Sequence, residues 1–187
     1  MPSQVEICNL ALRSLGAVSI AAIDEDSENA WKMSAGYNLY LRGLLRSHPW
    51  SFAKKETTLS QLAEVPVLED YAHIYELPPD FVRLNKTSVE PDYSHKIKGR
   101  RLYSNADAIK IEYIYFCTDP MQYDDAFVEA FAAKLAAELA YSITRDKDVE
   151  KIRKQEFMIK LNYAKSMNGQ EVTPDEAQQD QWLNSRL

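Results

Sequence analysis

Apolar positions recur every three to four residues at both ends of this chain and every second residue in its middle. Near the start, Val5, Cys8, Leu12 and Leu15 share one helical face. The preceding "SQVE" is a capping-box pattern over Ser3 and Glu6, and Gly16 is a natural C-terminal stop. A second helix follows the acidic cluster Asp24, Glu25 and Asp26, with Ser27 and Asn29 as small polar caps. Its broad apolar face is Ala30, Met33, Tyr37, Leu41, Leu44 and Leu45. Gly36 and Gly43 lie a heptad apart in it, each costing about 1 kcal/mol relative to alanine. Close approach of another helix is the expected compensation. Pro49 disfavours helical geometry at His48, so the helix ends there. Pro49, Trp50 and Phe52 then read as a stop signal with an aromatic anchor folded onto the core.

The period changes in the middle. "YAHIYEL" (71–77) alternates as a strand, and Pro78-Pro79-Asp80 breaks it. "FVRLNKTSVE" resumes extended structure, and "PDYS" (91–94) signals a turn. "HKIKGRRLYS" reads as a hairpin turning near Gly99. "AIKIEYIYF" sets Ile109, Ile111, Tyr113 and Tyr115 on one side, Lys110 and Glu112 on the other. Three to five strands of one small, mostly antiparallel sheet are expected.

Helical spacing returns after Asp119-Pro120. Asp124 or Asp125 caps a long helix whose stripe is Phe127, Phe131, Leu135, Leu139 and Ile143, flanked by alanines that permit close packing on two sides. A fourth helix is expected over about 147–167, with Val149, Ile152, Phe157, Leu161 and Ala164 apolar, the other face charged, and Gly169 as its end. Residues 170–187 are polar until Trp182, Leu183 and Leu187. Alone, such a segment is flexible. Apolar anchors at its tip suit a partner groove, or a fold back onto the chain's own surface.

The expected fold class is α+β, as one domain spanning 1–187. Residues 1–56 and 119–168 form a four-helix bundle, 57–118 a small antiparallel β-lobe inserted between the second and third helices, and 169–187 a flexible C-terminal tail. The composition, 45% hydrophobic and 27% charged, is that of a water-soluble globular protein. The N-terminus lacks a signal-peptide pattern, which predicts a cytoplasmic site of synthesis. Cys8 and Cys117 both sit among apolar residues and read as buried thiols. A net charge of −6 disfavours nucleic-acid binding by phosphate neutralisation, though an acidic lining would let DNA slide past.

Candidate chemistry is sparse. The sequence contains no phosphate-cradling glycine loop, HExxH, CxxC or GxSxG. His48, His73 and His95 lack metal-ligand spacing, and His48 as a general base would need a nucleophile and an orienting partner. The acidic pairs Asp24 with Asp26 and Asp124 with Asp125 could serve a glycosidase, yet both stand at helix starts, where capping accounts for them. Lys96, Lys98, Arg100 and Arg101 form the one positive cluster, a solvated hairpin or a contact for nucleic acid or an acidic partner. No catalytic residue, cofactor or metal is expected.

The succession "ICNLALRSLGA", "IDEDSENA", "YNLYLRGLLRSHPWSFAKKETTL", "YAHIYELPPDFVRL" and "IEYIYFCTDPMQYDDAFVEAFAAKLAAELAYSIT" resembles the head-to-tail adaptor proteins, or tail tubular protein A, of short-tailed bacteriophages and prophages. The similarity covers roughly residues 3 to 168. It implies a structural virion protein, assembled in the host cytoplasm into the phage neck. Such a protein docks as a dodecameric ring, a connector, onto the portal and joins it to the tail tube or nozzle; when free it is either that ring or a monomer that the portal templates. Genomic DNA passes through at ejection without sequence-specific binding, and no membrane is involved. The resemblance further implies portal docking by the tail, with Trp182, Leu183 and Leu187 as anchors, and a structural role for "HPWSFA". The hairpin Lys96, Lys98, Arg100 and Arg101 would then be tail-facing or DNA-proximal. Rival readings are a head-closure or tail-completion protein, a tail-associated cell-wall hydrolase and a small DNA binder.

Overall fold

The computed structural model describes residues 2–64, 66, 70–88 and 94–171. Among these residues two helices come first, then six strands, then two more helices, an α+β arrangement. Local signals set most helix ends. α1 (Gln4–Ser14) opens with the capping box: Ser3 N–H donates to Glu6 Oε2 at 2.6 Å, and Glu6 N–H to Ser3 Oγ at 3.2 Å. Gly16, at φ 68°, closes it. Its N–H donates to Arg13 O and that of Ala17 to Leu12 O, which satisfies two terminal carbonyls. α2 (Glu28–Ser47) is capped by Ser27 and ends at an extended His48, as the following proline requires. α3 (Asp125–Thr144) is capped by Asp124, which accepts from Ala126 N–H at 2.8 Å. It stops at Arg145 in the left-handed region, φ 59°. α4 (Lys147–Glu171) runs through Gly169 rather than ending there. One glycine costs only about 1 kcal/mol inside a helix, which the surrounding turns can carry.

α3 is the helix around which the others gather. It packs against α1, α2 and α4, and its buried residues span nearly its whole circumference. Lys32 of α2 donates to Ser142 O, Tyr37 meets Phe131 and Trp50 meets Phe127, so α2 and α3 are antiparallel. Lys160 lies 3.6 Å from Glu129, and Lys134 sits over the Phe157 ring, so α3 and α4 are antiparallel too. α2 and α4 therefore flank α3 in the same direction. The glycines of α2 do not mediate this packing. A methyl at Gly36 would collide with the Tyr40 ring of the same helix, and Gly43 faces open space. The alanines of α3 make the room instead.

The strands are β1 (Lys54–Thr58), β2 (His73–Glu76), β3 (Phe81–Thr87), β4 (His95–Lys98), β5 (Arg101–Ser104) and β6 (Lys110–Tyr115). They form two antiparallel three-stranded sheets, β1-β6-β3 and β2-β5-β4, where one sheet was expected. The split follows from β6, which pairs with β1 on one side and β3 on the other and so fills both of its edges. β2, β5 and β4 must then pair among themselves. A second core lies between the sheets: Leu59, Tyr75, Leu77, Leu102, Ile109, Ile111 and Tyr113. β6 serves both cores. Ile111 and Tyr113 face this one, while Ile114 on the opposite face joins the helices together with Val82 of β3.

α4 departs from expectation on its outer side. Ile152 is exposed rather than core, and Met158, Ile159 and Tyr163 are exposed as well. That face is partly apolar, not purely charged.

Candidate functional site

The corner after α2 combines aromatic packing with buried hydrogen bonds. Trp50 is fully buried, and its indole N–H donates to Leu44 O at 3.1 Å. The Leu44 carbonyl, in the last turn of α2, thus accepts from both the Ser47 hydroxyl, at 2.7 Å, and the indole. The Trp50 ring meets Phe127 edge-on at 4.9 Å, and Phe52 meets Phe127 and Tyr123 at 4.8 and 5.4 Å. Pro49 holds His48 extended, so the chain turns through one short 3₁₀ turn (Ser51–Ala53) directly into β1.

A long-range polar contact locks this corner. Asn168 of α4 is buried, and its Oδ1 accepts from Ser51 N–H at 2.8 Å and Ser51 Oγ–H at 2.7 Å. Its amide nitrogen lies 3.1 Å from His48 Nε2. Since Oδ1 already accepts twice, the amide donates and His48 Nε2 accepts, which requires a neutral imidazole. Burial first, then the charges of Lys165, Arg83 and Lys54, hold the His48 pKa below the ordinary histidine value. The nearby hydroxyl of Ser51 donates to Asn168, so it is not paired with His48 as a nucleophile would be. The geometry is that of a joint between α2, β1 and α4.

A second polar node lies within the β1-β6-β3 sheet. Asp80 accepts from Lys55 Nζ at 2.8 Å and from Tyr113 O–H at 3.0 Å. Burial opposes its ionisation, but these two donors outweigh burial and hold its pKa below the ordinary aspartate value. Burial, then the bond to Asp80, pushes the Tyr113 hydroxyl up to about 12. Lys55 also lies over the Tyr115 ring at 3.8 Å.

The basic hairpin forms as expected. Gly99 has φ 62° and Arg100 does not share the positive φ, the pattern of a two-residue turn with glycine first. The four basic residues are not equivalent. Lys96, Lys98 and Arg101 share the outer face of their sheet, with Lys98 directly opposite Arg101. Arg101 makes a two-pronged pair with Glu64 at 2.6 and 3.0 Å. Arg100 donates to Pro78 O at 2.6 Å, which pins the turn to the loop before β3. Lys96 and Lys98 project from β4, an exposed edge strand, where lysines discourage pairing with another chain.

The remaining candidates separate. His73 contacts Gln61 at 2.9 Å and Asp107 at 3.3 Å. His95 lies on exposed β4. Asp124 caps α3, and Asp125 lies in its first turn. Asp24 and Asp26 are exposed before α2, where Ser27 is the cap and Glu25 accepts from the N–H groups of Ala21 and Ala22. Cys8 and Cys117 are free buried thiols, and burial pushes Cys8 up to about 12. Among the described residues, no group of histidine, cysteine and carboxylate side chains could hold a metal ion, and no helix is long and apolar enough to cross a membrane. Trp182, Leu183 and Leu187 lie outside the described residues.

Sequence reading missed Asn168 and Ser51, which meet across 117 positions with no local pattern to pair them. It also passed over Trp31 and Leu39, apolar residues eight apart on the polar side of α2, which the spacing could have revealed. No protein-family model matches the chain, and a search of curated proteins finds no match.

Proposed function

We propose that this chain is a structural joint, a head-to-tail adaptor subunit of a bacteriophage neck. In this reading the helices form a four-helix bundle, the two sheets form a lobe inserted between α2 and α3, and residues beyond α4 dock onto a portal. The subunits form a ring that joins the portal to the tail tube or nozzle and leaves a channel for DNA. One observation carries the reading. The stretch most suggestive of catalysis, His48 to Phe52, is built as a three-element lock, with His48 accepting from Asn168 and Trp50 buried against Phe127. That is what the resemblance to adaptors implies for "HPWSFA". The element order supports it too, since all six strands lie between α2 and α3.

The test is to mix the purified chain with the portal protein encoded in the same genome and to image the mixture by electron microscopy. A second ring stacked under the portal is expected, absent when residues 172–187 are deleted. A properly folded portal that gains no ring overturns the reading. If the truncated chain still docks, the tail anchors Trp182, Leu183 and Leu187 are dispensable.

A further inference from the structure

A cleft of about 510 Å³ lies where α2 passes the start of β3 and the turn between β4 and β5. Four arginines line it: Arg42 and Arg46 of α2, Arg83 of β3 and Arg100 of the turn. Phe81, Leu84 and Ile97 add apolar wall. Among the described residues, no aspartate or glutamate lines the cleft. The chain as a whole carries a net charge of −6, so its composition does not account for cations gathered without a carboxylate. The end of a helix favours cations in its last turn, which explains Arg46 alone.

Each guanidinium is fixed by a backbone carbonyl. Arg42 donates to Phe81 O at 3.0 Å, Arg46 to Val82 O at 2.7 Å and Arg100 to Pro78 O at 2.6 Å. Those acceptors lie within residues 78–82, so the side chains converge on one short stretch of backbone. Arg83 donates to Arg46 O at 3.2 Å, and Arg42 also lies over the Phe116 ring at 5.6 Å. A carbonyl orients a guanidinium without neutralising it and leaves most of its five donors open. Neighbouring cations are placed differently: Lys55 pairs with Asp80, and Arg101 with Glu64. Asp80, next to Phe81, is thereby engaged by Lys55 and by Tyr113 rather than by the arginines. Anchored charge of one sign in a cleft with apolar walls focuses the field and attracts the opposite charge.

We propose that this cleft binds a small organic phosphate. The planar guanidinium fork takes phosphate oxygens two at a time, and a phosphate or diphosphate group brings more than one negative charge in a small volume. The apolar or aromatic body of the ligand rests against Phe81, Leu84 and Ile97. The size of the cleft is that of an ordinary small-molecule site. The proposal goes beyond the adaptor reading and does not rest on it.

The experiment is calorimetric titration of the full chain, at fixed ionic strength, with ADP, pyrophosphate and adenosine as probes. ADP is expected to bind saturably at one site, several-fold tighter than pyrophosphate, and adenosine not to bind. The double variant Arg42→Lys/Arg100→Lys keeps the charge and loses the fork, and is expected to weaken ADP several-fold. Lys96→Gln/Lys98→Gln, on the nearby edge strand, is expected to leave ADP binding unchanged. Thermal melting of each variant checks that it is folded. Four results overturn the proposal. ADP may fail to bind the folded chain. Pyrophosphate and ADP of equal affinity would remove the apolar wall from the site. An equal loss in the lysine variant would reduce the effect to diffuse positive charge. Binding only after deletion of residues 172–187 would make the chain's own acidic residues, Asp175, Glu176 and Asp180, the occupants.

Discussion

The core around Trp50 and Phe127 draws on four helices, while the core around Tyr75 and Tyr113 draws on strands of four to seven residues. The first is filled by large aromatic and aliphatic side chains interleaved with the alanines of α3. The second has few apolar residues and is bordered by polar ties: Asp80 with Lys55 and Tyr113, Arg101 with Glu64, Arg100 with Pro78. Short strands bury too little surface to stand alone, so the smaller core leans on directional bonds and on β6, which it shares with the larger one. Within one chain, apolar burial carries the helical part, and specific polar contacts set the shape of the β part.

Substitutions test how far the two cores differ. Trp50→Ala is expected to cost the most, about 3–5 kcal/mol, because a buried aromatic leaves a cavity among Phe52, Phe127 and the α2 exit. Thermal unfolding measures it, and a melt within a degree of wild type would remove Trp50 from the core. Asn168→Ala is expected to cost about 1–3 kcal/mol, since Ser51 N–H and His48 lose a buried partner. If chemical denaturation shows no loss, the corner is held by aromatic packing alone.

Protonation of His48 should act on the same lock and remove one of its three bonds. Its folded pKa is depressed, so the stability it contributes is present above its unfolded value, about 6.5, and is lost as pH falls through the lower folded value. Melting temperatures across that acid range should fall in wild type and flatten in His48→Gln; equal slopes would separate the histidine from the lock.

In the β part, Tyr113→Phe should cost about 1 kcal/mol by removing the bond to Asp80. Raised toward about 12, the Tyr113 hydroxyl contributes stability that is complete below its unfolded value of about 10 and lost as pH rises through the folded one. An alkaline melting series that is unchanged by Tyr113→Phe would argue that this node is dispensable. Arg101→Ala should have the smallest effect, no measurable change in melting, because the pair with Glu64 is solvent-exposed. A clear drop would show that the outer face of the hairpin is structural.

Features that depend on neighbours a few positions apart can be read from the amino-acid sequence. The Ser3–Glu6 box, the Gly16 stop, the end of α2 before Pro49 and the Gly99 turn were all legible, and the caps of α2 and α3 were narrowed to Ser27 or Asn29 and Asp124 or Asp125, because each is a contact or a dihedral set within one turn of chain. The functional candidates were legible as residue types only. Only the tertiary structure showed that Arg100 and Arg101 are engaged while Lys96 and Lys98 project outward, and that His48 answers to Asn168. Only the tertiary structure, likewise, divided the strands into two sheets, gave Ile114 and Ile111 to different cores and turned Trp31, Leu39 and Ile159 outward. Those outcomes depend on which distant segment fills each face, and hydrophobic periodicity marks a face without naming its partner.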